Sequence, residues 1–585
     1  MKDFLKSVLA TVTGIIIASG ILFVFGMGII ASIASMGETE TTVDDNTVFC
    51  LNLDGPITDR ATDNPLSLLG SDDIEETYGL DNITDAIKKA AKEEKIKGIY
   101  LTIGNMAATP ATLEEIRDAL EEFKATGKFI ISYADNYSQG GYYLASVSDE
   151  VFLNPQGTIT WMGMSSQFVS YKRLLDKVGV KMQIFKVGTY KSAVEPFTTE
   201  KMSDANREQV KAFTSSIWET FINDISKSRD MTPETLNACA DRGIMFEKAE
   251  SFVDCGFVDS LAYRTDMTGY LKTKVGIDAD DDLNTLSLAG VTGINANVPK
   301  DKSGNIVAVY YANGDIDDTK GKDRIGALRV ISDLEALQND KDVKAVVLRV
   351  NSPGGSAFGS EQIWKQVRDL KAEKPVVVSM GGYAASGGYY ISCNADYIYA
   401  QPTTLTGSIG IFGMVPDGSG LLDKVGISSE TVSTNKFGGM MSFDRAMTEE
   451  EKALMQRSVN DGYDLFVARC ADGRKMLPDD IKKVAEGRVW TGAMAKELGL
   501  VDDLGGLDEA IAKAKELAEV EDCTIITYPA KPSMLDEILS SLPKGYVKTF
   551  TPDGAAQVID GLRWLTELDN INPLQARMPY WVEIN

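Results

Sequence analysis

The chain of 585 residues contains no histidine, so any proton transfer it carries out must run through other groups. A Ser-His-Asp triad, a Cys-His pair and a histidine-ligated metal are therefore excluded. Among the hydroxyls that could attack a carbonyl, Ser386 stands in a distinctive setting, Gly381-Gly-Tyr-Ala-Ala-Ser386-Gly-Gly388. A lone serine among glycines usually reflects close helix packing, and it is the neighbouring segments that single this one out. Upstream, Asn351-Ser-Pro-Gly354-Gly355 follows an apolar run, and backbone N–H groups free of nearby side chains are what an oxyanion hole requires. Downstream, Thr406-Gly-Ser408-Ile-Gly-Ile-Phe-Gly413 forms another glycine-rich turn. At the first turn of a helix, Ser386 would also have the positive end of the helix dipole aimed at developing negative charge.

A serine nucleophile needs a base, and without imidazole the remaining choice is a neutral lysine amine. Free lysine titrates near 10.4, so work near neutrality demands a lowering of about 2 to 3 pH units, or roughly 3 to 4 kcal/mol of desolvation. Such a lysine must be buried, whereas most lysines here lie in charged helical patterns. Lys191, in Val187-Gly-Thr-Tyr190-Lys191-Ser192-Ala-Val-Glu-Pro-Phe197, is set among small and apolar residues. Taken alone it would pass for an ordinary surface lysine.

These segments belong to a diverged duplication. Lys97-Gly-Ile-Tyr-Leu-Thr-Ile103 aligns with Lys344-Ala-Val-Val-Leu-Arg-Val350 at an offset of 344 − 97 = 247, and the same offset carries Gly140-Gly-Tyr-Tyr143 onto Gly387-Gly-Tyr-Tyr390. Leu174 to Gly179 aligns in the same register with Leu421 to Gly426, and after small gaps Gly256 to Leu261 echoes Gly499 to Leu504. A period this long marks a duplicated domain rather than a solenoid. In the second copy the patterning predicts strands at 306–311, 345–350 and 375–379, helices at 327–338 and 361–370, and a further helix opening at Ser386. That alternation is the pattern of an α/β domain with its site at the strand ends.

Together, Asn351 to Gly355, Ala384 to Tyr390, Thr406 to Gly410 and Gly188 to Pro196 resemble the long, duplicated form of the signal peptide peptidase A family, also called protease IV. The resemblance runs from the N-terminal apolar segment to about residue 520. It implies tandem crotonase/Clp-protease-like α/β domains, a Ser-Lys dyad shared between the copies, and a membrane-tethered homotetrameric bowl. Carried over by position, Ser386 is the implied nucleophile, Lys191 the base, Gly354 or Gly355 with the Ser386 amide the oxyanion hole, and Ser408 a hydroxyl orienting the amine. The implied substrates are hydrophobic peptides, notably released signal peptides. A second lysine, Lys436, occupies the place in copy two that Lys191 holds in copy one, and Ser386 and Lys436 have the spacing of the family's short form. Spacing alone does not separate the two. The repeat offers a further test: subtracting 247 places Gln139 at the serine position of copy one and Ala107-Ala108 at the glycine pair, and the resemblance implies that the short form builds its dyad between neighbouring subunits. If copies alternate around a ring, Ser386 meets Lys191 while Lys436 faces the silent position at Gln139.

The first residues supply the expected tether. From Ser7 to Gly37 no residue is charged, and the run Val8 to Ile33 is long enough, at about 1.5 Å per residue, to cross roughly 30 Å of hydrocarbon. Lys2 and Lys6 precede it and Glu38, Glu40, Asp44 and Asp45 follow. The expectation is one span in a bacterial inner membrane with the body extracytoplasmic, although Ser32-Ile33-Ala34 could also serve as a signal cleavage site. The expected organisation is thus an anchor at 1–37, a first repeat at 45–290, a second at 300–523, and a tail at 524–585 that has no repeat partner. The tail's Trp564, Tyr580 and Trp581 suggest packing or an interaction surface. A net charge of −26 argues against nucleic acid as a partner. The six cysteines are scattered without metal-type spacing, so neither a metal nor a cofactor is expected. Two other readings share parts of this pattern: an acyl-CoA enzyme of the crotonase type, and a tethered scaffold that has lost catalysis.

Overall fold

The computed structural model describes residues 41–60, 77–294, 301, 303–321, 324–531 and 574–578. The expected anchor at 1–37 and the aromatic residues Trp564, Tyr580 and Trp581 lie outside these. Among the described residues no helix is long and apolar enough to cross a membrane.

Two parallel sheets carry the fold, and the duplication is visible in their strand order. In the first, Ser260–Leu261, Glu150–Leu153, Phe129–Ala134, Ile96–Ile103, Thr47–Leu53 and Thr285–Ser287 lie side by side. In the second, the same sequence of neighbours is Asp503–Leu504, Tyr397–Ala400, Val376–Ala385, Val343–Ser352, Ile306–Asn313 and Thr524–Tyr528. The central strands are apolar along their length because helices cover both faces, so alternation is lost and β-branched residues dominate. The pairing Ala384↔Thr406 in copy two returns at 384 − 247 and 406 − 247 as the isolated bridge Tyr137↔Ile159 in copy one.

The structure corrects the expected tail at one point. Thr524–Tyr528 pairs in parallel with Ile306–Tyr310 as the edge strand of the second sheet, and its partner in copy one is Thr285–Ser287, which pairs with Val48–Cys50. The second repeat therefore extends beyond 523. The counterpart was hidden because a short edge strand leaves little apolar pattern to match.

The copies are interlocked. Lys181–Lys186 of the first runs antiparallel to Phe412–Asp417 of the second, from Lys181↔Asp417 to Lys186↔Phe412. The long helix Asp204–Arg229 of copy one packs on Val489–Thr491 of copy two, and Glu449–Arg474 of copy two packs on Lys181–Lys186. Both helices are N-capped by side-chain oxygens, Ser203 bonding to Asn206 N and Thr448 to Glu451 N. Between the copies Arg349, 1% exposed, lies beside Asp59 and Glu115 of copy one, with its Nη2 2.8 Å from Asp59 and 2.5 Å from Glu115. Asp59 also accepts from Asn351 Nδ2. This buried ion cluster fixes the end of the Val343–Ser352 strand, from which the Ser352-Pro-Gly-Gly turn leaves.

Candidate active site

Ser386 is the single residue between the end of the strand Val376–Ala385 and the start of the helix Gly387–Ser392. Its backbone adopts φ +54° and ψ −111°, a conformation that costs a non-glycine residue on the order of 1 to 3 kcal/mol. A strained strand-to-helix turn of this kind thrusts the side chain out of the sheet. Two bonds hold the turn: Ser386 N donates to Gly407 O at 2.8 Å, and Tyr390 N to Ser386 O at 2.8 Å. Ser408, one residue past the partner Gly407, is likewise at positive φ, +49°, and its amide donates to Arg488 O at 2.7 Å.

Lys191 reaches this place because its strand has been handed to the other copy. Beyond Lys186 the chain continues alongside the turn at 486–488, where Tyr190 N donates to Glu486 O at 3.0 Å and Gln209 Nε2 donates to Tyr190 O at 3.0 Å. Glycine is required at 487, because a Cβ there would lie 2.6 Å from the Lys191 Cβ. The lysine is fully buried, and its Nζ lies 2.8 Å from Ser386 Oγ, 3.1 Å from Ser408 O and 3.1 Å from Ser408 Oγ.

A neutral amine has two N–H donors and one lone pair, which matches three such neighbours. The two Ser408 oxygens accept, and the lone pair is left for the Ser386 hydroxyl proton. No carboxylate is among the hydrogen-bond partners of the amine, and burial lowers its pKa from 10.5 to about 7. The arrangement can therefore take a proton from a hydroxyl at neutral pH.

The glycine turn is placed as expected, with a change in which amides are free. Gly354 N donates to Ser352 Oγ at 3.1 Å, and Ser386 N is committed to Gly407 O. The expected contribution of the Ser386 amide is thus corrected: sheet pairing has taken its N–H. Gly387 is the first residue of its helix, so its amide has no intrahelical acceptor.

The rival lysine lies elsewhere. Lys436 is exposed on the surface and pairs with Glu450. Within this chain it has no bond to Gln139. That glutamine, 6% exposed, binds its own loop instead, with Oε1 accepting from Met162 N at 2.9 Å and Gly163 N at 2.8 Å and Nε2 donating to Gly163 O at 3.1 Å.

Sequence reasoning missed the 486–488 turn, Gln209 and the Arg349 cluster. Only Arg349 left a signal, as a lone charge inside the apolar strand pattern Ala345 to Val350. All six cysteines are free thiols, and among the described residues no group of three or more acidic or cysteine side chains is placed to hold a metal.

Comparison with known proteins identifies the family. The profile of Peptidase family S49 matches residues 122–278 and 368–521, and that of Clp protease matches residues 300–404. The chain is 38% identical to Protease 4 of Salmonella typhi, over 91% of this chain and 88% of that protein. It is 34% identical to Protease 4 of Haemophilus influenzae, over 89% and 88%. With the chloroplastic serine protease SPPA of Arabidopsis thaliana the identity is 30%, over 85% of this chain and 74% of that one.

Proposed function

The chain belongs to peptidase family S49 as a serine peptidase of the duplicated signal peptide peptidase A type, and from that premise we propose that Ser386 and Lys191 form its catalytic dyad. The observation that carries this reading is the buried, uncompensated amine 2.8 Å from the serine oxygen. Lys191 Nζ takes the Ser386 proton as Oγ attacks the peptide carbonyl, and the Gly355 and Gly387 amides stabilise the tetrahedral oxyanion. The ammonium, held by both Ser408 oxygens, then gives its proton to the departing amine. Water releases the acyl group by the reverse sequence.

The substrate class we propose is extended hydrophobic peptides, including released signal peptides, in keeping with the family. The chain would act as a single-pass protein of a bacterial inner membrane, its body outside the cytoplasm and tethered by the apolar segment Val8 to Ile33.

We further propose that it assembles as a closed ring, a homotetramer by the family's pattern. The repeat supports this. The pairing of 181–186 with 412–417 has pseudo-equivalents at 426–431, by the offset 436 − 191 = 245, and at 165–170, by the offset 247. Among the described residues neither segment belongs to a sheet, and both are largely exposed. Pairing between neighbouring chains would satisfy both edges and bring Lys436 to Gln139 of the next chain.

The test is turnover of a hydrophobic fluorogenic peptide by the full chain in detergent. Ser386→Ala and Lys191→Ala should each abolish it, and Lys436→Ala should retain it. Retained turnover in Lys191→Ala with loss in Lys436→Ala would reverse the assignment of the base.

A further inference from the structure

Lys191 comes from one copy and its partner Ser408 from the other, so the two segments must be held in register for the amine to meet Ser386. Gln209, on the helix Asp204–Arg229 of copy one, is fully buried, and its carboxamide spans the boundary between the copies. Nε2 donates to Tyr190 O at 3.0 Å and to Ser192 Oγ at 3.0 Å, so it holds the chain on both sides of Lys191. Oε1 accepts from Val489 N at 3.2 Å. Val489 pairs with Gly407, whose carbonyl takes the Ser386 amide, and the Arg488 carbonyl just before it accepts from the Ser408 amide at 2.7 Å. One side chain thereby joins the lysine segment of copy one to the strand of copy two that braces the Ser408 turn.

The carboxamide is itself oriented. Asn206, buried one turn earlier on the same helix, donates from Nδ2 to Glu195 Oε2 at 2.9 Å, and Gln209 Nε2 lies 3.1 Å from Asn206 Oδ1. A carboxylate only accepts, so Asn206 must turn its nitrogen to Glu195 and its oxygen to Gln209, and Gln209 must then donate towards the lysine segment and accept from Val489. Glu195 closes the loop, with Oε1 accepting from Ser203 Oγ at 2.6 Å and its amide donating to Ser192 O at 3.0 Å. The lysine side chain runs through a tight channel, where a Cβ on Gly410 would lie 3.3 Å from Lys191 Cδ, so a shift of its backbone is carried to Nζ. The charged groups around the segment are engaged with other partners. Glu208 pairs with Arg488 and accepts from Tyr190 Oη, Glu486 Oε2 accepts from Thr189 N at 3.3 Å, and Lys186 Nζ donates to Lys191 O at 3.4 Å.

We propose that Gln209 is a positioning residue of the dyad: its carboxamide locks the segment 190–192 to the strand Val489–Thr491, and that lock sets the approach of Lys191 Nζ to Ser386 Oγ and keeps water from the amine. Gln209 touches none of the reacting atoms and acts through Lys191. Loosening it moves the amine off line, and a displacement of about 1 Å at a catalytic group can cost on the order of 100-fold in rate. Water admitted beside the amine favours its charged form and raises its pKa towards that of free lysine. Binding of the peptide is made by other groups and is left alone, so the loss falls on the chemical step.

This inference rests on Ser386 and Lys191 being the dyad, and its test separates the two. Gln209→Met, which keeps a similar volume without the hydrogen bonds, and Gln209→Asn, whose amide is too short to reach Tyr190 and Val489 together, are compared with the wild type and Lys191→Ala as full chains in detergent. Thermal unfolding, steady-state turnover of the hydrophobic fluorogenic peptide and the pH dependence of fluorophosphonate labelling of Ser386 are measured for each. Well below the unfolding temperature of either Gln209 variant, kcat should fall by roughly 10- to 100-fold with KM little changed. The inflection in labelling, at about pH 7 in the wild type, should move up by about 1 pH unit. A merely structural role lowers the unfolding temperature and moves neither; should Gln209→Met fail to fold, Gln209→Asn decides. A folded Gln209 variant with wild-type kcat and inflection overturns the inference and leaves the dyad standing, and so does a loss carried by KM with the inflection unmoved. Wild-type turnover in Lys191→Ala overturns the dyad, and the inference with it.

Discussion

Lys191 Nζ and Ser386 Oγ lie 2.8 Å apart although the residues are 195 positions apart in sequence and belong to different repeats. The distance follows from one exchange of secondary structure, the pairing of Lys181–Lys186 with Phe412–Asp417. A duplicated chain can divide a catalytic pair in this way and let each copy lose what the other supplies. Copy one retains the lysine and has Gln139 where the serine would be, and that glutamine now closes its own loop.

Ser408 contributes both its hydroxyl and its carbonyl to the amine. Removing the hydroxyl in Ser408→Ala should cost about 1.5 to 3 kcal/mol where the amine is charged, as for a hydrogen bond to an ionised group. The loss appears mainly in kcat, by roughly 10- to 100-fold, with KM little changed. Steady-state kinetics on the fluorogenic peptide checks this.

Burial of Lys191 is a cost to folding with a defined pH window. The amine titrates near 10.5 when unfolded and at about 7 when folded. Below pH 7 both states hold the proton and the full cost is present. Between 7 and 10.5 the unfolded chain binds more protons, so native stability rises with pH. Lys191→Met should therefore stabilise most at and below pH 7, by on the order of 4 kcal/mol, with the gain fading towards pH 10.5. Denaturant unfolding of both proteins at pH 6 and pH 10 measures it.

Glu114 gives the opposite slope. It is 3% exposed at the contact between copies, where Oε2 accepts from Thr403 N at 3.1 Å and Thr403 Oγ1 at 2.6 Å. Burial, reinforced by the charges of Asp118 and Asp224, raises it to about 8 from an ordinary 4.5. Between those values the native state holds a proton that the unfolded chain has lost, so stability falls as pH rises and the loss is complete above about 8. Glu114→Gln should be close to neutral at pH 4.5 and stabilising at pH 9, by on the order of 4 kcal/mol. Thermal unfolding across that range would show the two curves diverging.

Arg349 is the cation shared by Asp59 and Glu115. Arg349→Ala leaves two buried carboxylates without it and should destabilise by about 3 to 5 kcal/mol. Because the cluster anchors the strand that leads into the glycine turn, activity measured well below the melting temperature should fall as well.

Much of this was legible in the sequence because the repeat and the absence of histidine are strong constraints. The strand ending at the glycine turn and the Ser386 turn follow from them, the preference for Lys191 over Lys436 needed the family resemblance as well as the repeat, and the structure brings Ser386, Lys191 and Ser408 together. What was not legible depends on tertiary pairing. The strand Val376–Ala385 runs well past the expected 375–379 because parallel partners on both sides extend it. The loss of the Ser386 amide to Gly407 O comes from that same extension. Thr524–Tyr528 and Leu574–Arg577 left no periodic signal, since each is a short strand whose fold is decided by the edge that receives it.

The account stands on a neutral lysine amine at Ser386, and the rate of fluorophosphonate labelling of Ser386 as a function of pH reports on it directly. In the wild type the second-order rate constant should rise about tenfold per pH unit below about pH 7 and level off above it. Lys191→Ala should remove this dependence and nearly all labelling, while Lys436→Ala should follow the wild-type curve. A Lys191→Ala chain that labels at the wild-type rate with the same inflection would contradict the central claim.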